Sequence, residues 1–219
     1  LVDFDPSGSV AEIGPTSTYG AYMVKLTSDG DYVWGKSIPG TYTTPTELNV
    51  DSNNNLYWVG YFYGPTDFDP SAANFSLNGQ YYDTYIAKFS SQGNFTWVKH
   101  LTSTNYCYTN AVEIAADGSI YLAGGFNGTT DFDPDLVSSQ VVSNASSTYK
   151  PFLLKLSSNG LFQYLKQLAP TAIGMATGVK LDNNGNVYVT GYFRGTSDFN
   201  PNQTNEHLMT SVTAGYEDG

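Results

Sequence analysis

The sequence predicts an all-β protein assembled from a repeated unit of four antiparallel strands. Three observations carry that expectation. A four-residue landmark returns at a near-constant period, other landmarks keep the same period, and polar turns separate apolar runs at matching offsets. Asp-Phe-Asp-Pro stands at Asp3–Pro6, Asp67–Pro70 and Asp131–Pro134, and returns as Asp-Phe-Asn-Pro at Asp198–Pro201, at intervals of 64, 64 and 67 residues.

The elements follow in order along the middle copy. Strand-like runs cover Thr46–Val50, Leu56–Phe62, Thr84–Phe89 and Phe95–Leu101. The first hairpin turn falls at Asp51–Asn55 and the second at Ser90–Asn94, with Asp117-Gly118, Asn184-Gly185, Asp29-Gly30 and Asn159-Gly160 as their counterparts. Asn, Asp and Gly tolerate the left-handed backbone that tight hairpins require, which makes these strings turn signals with a mechanism. The second run, Leu56 to Phe62, matches Ile120–Phe126 and Val187–Phe193; the third matches Tyr22–Leu26 and Phe152–Leu156. Trp34, Trp97 and Tyr164 share one position of the fourth run, where a large aromatic is a packing residue. No segment keeps a helical period.

A repeated four-stranded antiparallel unit points to a β-propeller-type array of about three blades plus a partial fourth. The units run roughly over 3–66, 67–130, 131–197 and, in part, 198–219, within a single array spanning 1–219. Each is longer than the ~40–50 residues usual for propeller repeats. The excess falls between Gly64 and Asp83, read as a long connection between the second and third strands. A meander sends that connection and the fourth-to-first connection to one edge, so the long loops of all blades share a face, the candidate functional surface. Gly60, Gly124 and Gly191 recur among large apolar residues, which suggests the close approach of a neighbouring sheet.

Composition narrows function. Aromatic residues make up 15% and charged residues 13%, with 18 Tyr and 22 Gly. A formal net charge of −11 and only nine Lys and Arg argue against nucleic acid as a partner. No apolar run reaches the length of a membrane span, so membrane insertion is not expected. Cys107, the one cysteine, has no motif around it and reads as a buried or idle thiol. Of the histidines, His100 and His207 lack recurring counterparts. With no nucleophile elbow, zinc motif or phosphate loop, no catalytic residue is assigned and no enzyme is expected. The chain opens at Leu1 in mid-blade and ends after a fourth landmark. The expectation is continuation into further repeats or head-to-tail contact with other copies, as a closed homo-oligomer or a filament.

The Asp-Phe-Asp-Pro strings are the sharpest chemical candidates. Residues two apart on an extended chain point the same way, so Asp3 with Asp5, Asp67 with Asp69, and Asp131 with Asp133 could present paired carboxylates, as could Asp198 in the last copy. Calcium, which takes about 6–8 oxygens, is the cofactor such pairs would suit, and no other cofactor is indicated. The competing reading is structural: the aspartates cap turns or pair with the in-register lysines Lys25, Lys36, Lys88, Lys99, Lys155 and Lys166. Asn200 replaces the second aspartate of the last copy, which weakens a demanding ligand role. Asp182–Asn186 shares some spacing with a calcium loop but reads better as a hairpin turn. Sequons begin at Asn74, Asn94, Asn127, Asn144 and Asn202. Tyr81, Tyr82, Tyr106 and Tyr108, placed in the long connections, could stack on sugar rings or form protein interfaces.

The string from Asp182 to Pro201, with that around Lys88 to Lys99, resembles the extracellular β-propeller repeats called SBBP repeats. That resemblance implies a secreted or cell-surface location and a bacterial source, and it transfers no catalytic residue. Three functions stay open: a non-catalytic structural or interaction scaffold, which the repeated architecture favours; a lectin-like carbohydrate-binding module that uses glycans as ligands; and a propeller hydrolase whose active site lies in further blades.

Overall fold

The structure, a computed structural model, describes residues 2–5, 12–13, 19–71, 73–202 and 205–211. Pro6 of the first landmark and residues 212–219 of the partial last unit lie outside them. The described residues form strands and turns without a helix. One complete blade is a meander of β5 (Gly40–Val50), β6 (Leu56–Asp67), β7 (Ser76–Phe89) and β8 (Phe95–Leu101). The next runs β9 (Tyr106–Ile114), β10 (Ile120–Asp131), β12 (Lys150–Leu156) and β13 (Phe162–Gln167), with β11 (Val141–Asn144) added to the far end of β10. On one side stand β3 (Ala21–Leu26) and β4 (Tyr32–Ile38), matching third and fourth strands. On the other stand β14 (Ile173–Leu181) and β15 (Val187–Arg194), matching first and second strands. Short pairs β1 (Val2–Asp3) with β2 (Glu12–Ile13), and β16 (Thr196–Asp198) with β17 (Leu208–Thr210), complete the described elements.

The tight turns form where the sequence places them. Asn54, at φ 61°, occupies the left-handed position that Gly118 and Gly185 fill at 82° and 81° in the sister turns. Asp51 Oδ1 accepts the N–H groups of Asn53 and Asn55, and Asp182 repeats this with Asn184 and Asn186. Burial raises the Asp51 pKa, but hydrogen bonds from Asn55 and Asn53 and the nearby Lys88 charge outweigh it and hold the carboxyl below its ordinary value. The hydrogen bond from the Ser119 backbone does the same for Asp117.

Alternation along each strand sends one set of side chains to the preceding blade and the other to the following one. Trp58, Phe62, Tyr85 and Phe89 pack against Ala21, Met23 and Ile38 of β3 and β4. Tyr57, Val59, Ile86 and Leu101 meet Cys107, Leu122, Phe126, Phe152 and Leu154 of the next blade. Tyr121, Ala123 and Leu153 then cover Ala176 and Val179 of β14. The apolar core is thus a series of interfaces between blades, and Trp97 joins one of them half-buried, edge-on to Tyr57 at 6.2 Å.

First strands of successive blades also lie side by side, and side chains from one satisfy the free edge of the next. Thr46 donates to Thr109 O at 2.6 Å, Asn49 Nδ2 to Val112 O at 2.9 Å, and Val112 N–H to the Glu47 carboxylate. Asn110 Nδ2 repeats the first of these at 2.9 Å to Ala176 O. Thr46 and Asn110 are the bulged residues of their strands, between register shifts at Pro45/Glu47 and beside Ala123/Gly124. A bulge re-aims its side chain out of the pleat, here onto the neighbouring blade's backbone.

Two expectations change. The stretch from Gly64 to Asp83 is a paired arm instead of an open loop. After a register shift at Phe62/Gly64, β6 and β7 continue in pairing from Gly64↔Gly79 to Asp67↔Ser76. Gly64 takes φ 74° at the kink, and Thr66 and Phe68 are buried, so the arm has its own packed side. The recurrent strand glycines respond to their own blade and not to a neighbouring sheet. A Cβ on Gly60 would lie 2.2 Å from Thr44 O, on Gly124 1.9 Å from Tyr108 O, and on Gly191 2.2 Å from Met175 O, all backbone of the bulged first strand.

Candidate interaction face

Arms, fourth-to-first connections and the ends of the second strands meet at one end of the blades. At the arm tips the landmark aspartates act on the backbone. Asp67 Oδ1 accepts the N–H groups of Asp69 at 3.1 Å and Phe75 at 2.8 Å, and its Oδ2 accepts Asn74 Nδ2 at 3.1 Å. Asp131 does the same for Asp133 and Gln140, and Asp198 for Asn200 and His207. The backbone hydrogen bond from His207, then that from Asn200, holds the Asp198 carboxyl below the ordinary range. Asp3 Oδ1 accepts the Asp5 N–H at 3.0 Å. The second landmark position also caps: Asp69 accepts Ser71 N–H, Asp133 accepts Asp135 N–H, and Asn200 accepts Asn202 N–H through its amide oxygen. An amide oxygen suffices there, which explains why asparagine stands in for aspartate.

The in-register lysines have other partners. Lys88 and Lys155 lie over the rings of Tyr57 and Tyr121 at 4.8 and 5.0 Å. The stems of Lys36 and Lys99 run beside Gly93 and Gly160 of the following blade, while Lys166 donates to Asn202 Oδ1 and Lys25 to Ser91 O. Among the described residues no three His, Cys, Asp or Glu side chains converge as a metal-ion group.

The tyrosines expected in loops stand on strands, Tyr81 and Tyr82 within β7 and Tyr106 and Tyr108 at the start of β9, and the last three of these belong to a continuous row. Tyr19, Tyr42 and Tyr61 lead to Tyr82, with centroids at 5.3 Å for Tyr19–Tyr42 and 5.9 Å for Tyr61–Tyr82. Tyr82 stacks on Tyr106 at 5.3 Å and 24°, and Tyr106 on Tyr108 at 5.6 Å and 25°. Tyr108 reaches Tyr149 at 5.7 Å. The row thus crosses the boundary between the two complete blades, where Tyr82 and Tyr106 make a single parallel backbone bridge. Burial, with the neighbouring Tyr149 second, pushes the Tyr108 hydroxyl well above its ordinary value. Tyr63, Tyr81 and Tyr192, at 46%, 49% and 60% exposure, present aromatic surface beside the row. Leu136 and Val137 are almost fully exposed at one arm tip, and Phe75 is exposed on the other complete blade's arm.

His100 is satisfied within the fold: its Nε2 lies 3.0 Å from Asp83 Oδ2, and Asp83, fully buried, also accepts the N–H groups of Ser103 and Gln80. Nothing in the sequence pattern announced that pair, because Lys150 occupies the equivalent place in the next blade and donates instead to Ala172 O. Cys107 is buried, and burial pushes its thiol up to about 12. Two sequon asparagines are structural: Asn127 and Asn144 are buried, accepting Tyr106 N–H and donating to Phe126 O respectively.

No protein-family model matches the chain. It is 22% identical, over 194 aligned residues, to an uncharacterised WD repeat-containing protein of Acanthamoeba polyphaga mimivirus; the match covers 78% of this chain and 14% of that protein. That likeness agrees with repeated four-stranded blades. The unit here, at 64 to 67 residues, is longer than the ~40–45 residues of WD repeats, and none of its tryptophans precedes an aspartate.

Proposed function

We propose that this chain is a non-catalytic repeat scaffold of the β-propeller type, carried in a secreted or cell-surface protein, and that its arm-side face engages protein partners. The observation that carries this is the tyrosine row crossing from blade to blade, with half-exposed Tyr63 against Tyr82 at its edge. Neutral aromatic surface of this kind is what protein interfaces enrich, while charged groups are depleted at their centres. Carbohydrate recognition by ring stacking fits less well, because Tyr82, Tyr106 and Tyr108 turn ring faces onto one another. The likeness to SBBP repeats supports export, and the likeness to a WD repeat-containing protein supports an interaction role.

The test compares the parent with a Tyr63→Ser, Tyr81→Ser, Tyr192→Ser variant. Both are immobilised and challenged with the envelope fraction of the producing cells and with a glycan array. Retention of a defined envelope protein by the parent and its loss in the variant, at unchanged melting temperature, supports the reading. Equal retention by both, or binding confined to glycans, contradicts it.

A further inference from the structure

Among the described residues, every tyrosine–tyrosine ring contact lies in the row on the arm-side face. Tyr82 is its junction, touching Tyr42, Tyr61, Tyr63, Tyr106 and Tyr108 with centroids between 5.3 and 6.3 Å. Half-exposed Tyr63 opens that junction to solvent.

The tightest near-parallel pair spans two blades: Tyr82 of β7 and Tyr106 of β9, at 5.3 Å and 24°. Their backbones meet in a parallel bridge, which roots both side chains on the same side about 4.8 Å apart. Thr84 Oγ1 donates to Cys107 O at 2.8 Å and holds that alignment one step along. Tyr61 and Tyr108 come nearer, at 4.6 Å, but meet edge to face at 62°. Cys107, between Tyr106 and Tyr108, points the other way into the core. It is the only cysteine of the 219 residues, so no disulfide within them joins the blades.

Phenols held in this way are set for oxidative coupling. A tyrosine that loses an electron and its phenolic proton carries the unpaired electron on the ring carbons beside the hydroxyl, and two such radicals join there. We propose that Tyr82 and Tyr106 are the site of a dityrosine link, made by a haem peroxidase with hydrogen peroxide, that staples β7 of one blade to β9 of the next. One Cε–Cε bond forms and one ring C–H on each tyrosine is lost. The two electrons and two protons released reduce one hydrogen peroxide to two waters, and both hydroxyls are retained. Both rings are half-buried, and χ2 of a tyrosine is a broad torsion, so a small turn of each ring brings the two Cε atoms together. The contacts of the row pass a radical formed at Tyr63 to Tyr82 without a gap. From the scaffold reading the proposal takes only the exported location, where such an oxidant is met.

Peroxidase treatment of the purified chain tests the assignment. The protein is held at about 1 μM, far below the roughly millimolar effective concentration of groups on one chain, and given a haem peroxidase with equimolar hydrogen peroxide. The expected product has the mass of the monomer less two hydrogens, shows blue dityrosine fluorescence, and on peptide sequencing carries the link between Tyr82 and Tyr106. Tyr82→Phe and Tyr106→Phe, which keep both rings packed, each abolish it, whereas Tyr108→Phe retains it. The linked protein should melt about 6–12 °C above the untreated one, the scale of a covalent closure of a short loop in a chain of this size. A link mapped to Tyr61–Tyr108 or Tyr106–Tyr108, fluorescence confined to covalent dimers, or a linked protein that melts no higher overturns the proposal. Substituting Tyr63, Tyr81 and Tyr192 to test partner retention leaves Tyr82 and Tyr106 in place, so the two readings fail separately.

Discussion

Replacing Gly124 by alanine is the most demanding local test of the blade geometry. The added Cβ would sit 1.9 Å from Tyr108 O, 2.9 Å from Tyr108 C and 3.0 Å from Thr109 Cα. Ordinary contact needs about 3.5 Å, so the carbonyl oxygen must retreat by roughly 1.5 Å, and no flexible side chain can absorb the shift. The displaced backbone also carries Thr109 O and Asn110, which link this blade to its neighbours on either side. Overpacking costs about 1–3 kcal/mol and a lost hydrogen bond about 1 kcal/mol, so a total near 3 kcal/mol is expected. For a chain of this length that lowers the melting temperature by about 6–12 °C, read by circular dichroism. Gly185→Ala is the control: its φ is 81° but nothing lies within 4 Å of the new Cβ, so only the left-handed backbone penalty of about 1 kcal/mol applies. A Gly124→Ala protein melting no lower than Gly185→Ala would refute the argument that the bulged strand dictates this glycine.

Other expectations follow from the same packing. Phe126→Ala empties a fully buried site between blades and should cost about 3–5 kcal/mol in denaturant unfolding, whereas half-buried Trp97→Ala should cost less. Asp67→Ala removes three accepted hydrogen bonds and should expose the arm tip around Phe75 to limited proteolysis while the blade stays folded. A chelator should leave the parent's melting temperature unchanged if these capping bonds alone hold the tip; a fall would assign the aspartates to calcium. Asp51, Asp117 and Asp198 have folded pKa values below their ordinary ones. Their stabilisation is therefore fully present above about pH 4 and lost as pH falls through the folded values, and Asp117→Asn should flatten part of that acid limb in a melting series.

Much of the architecture is readable because repetition makes it so. Landmarks at one period revealed the unit, and Asn54, Gly118 and Gly185 announced the same turn in three places. The arms escaped notice because Gly64-Pro65 reads as a break, although Thr66 and Leu77 alternate with polar residues as a strand pair should. The glycine positions were legible but their cause was not, since a bulge is a property of two strands in register. The links from Thr46, Glu47 and Asn110 carry no motif at all; polar residues on a first strand acquire meaning only when another blade's free edge lies beside them. The tyrosine row likewise joins residues from Tyr19 to Tyr149 that become neighbours only through stacking of blades.

Side-by-side packing of first strands is the claim on which this account rests, and one amide reports on it directly. Val112 N–H points away from its own hairpin and donates to the Glu47 carboxylate of the preceding blade. Hydrogen exchange of that amide, followed by NMR in the parent and in Glu47→Ala, isolates the contact. The account predicts slow exchange in the parent and selectively faster exchange at Val112 in the variant, with the β9–β10 ladder still protected. An exchange rate at Val112 that does not respond to Glu47 would contradict the stacked-blade arrangement.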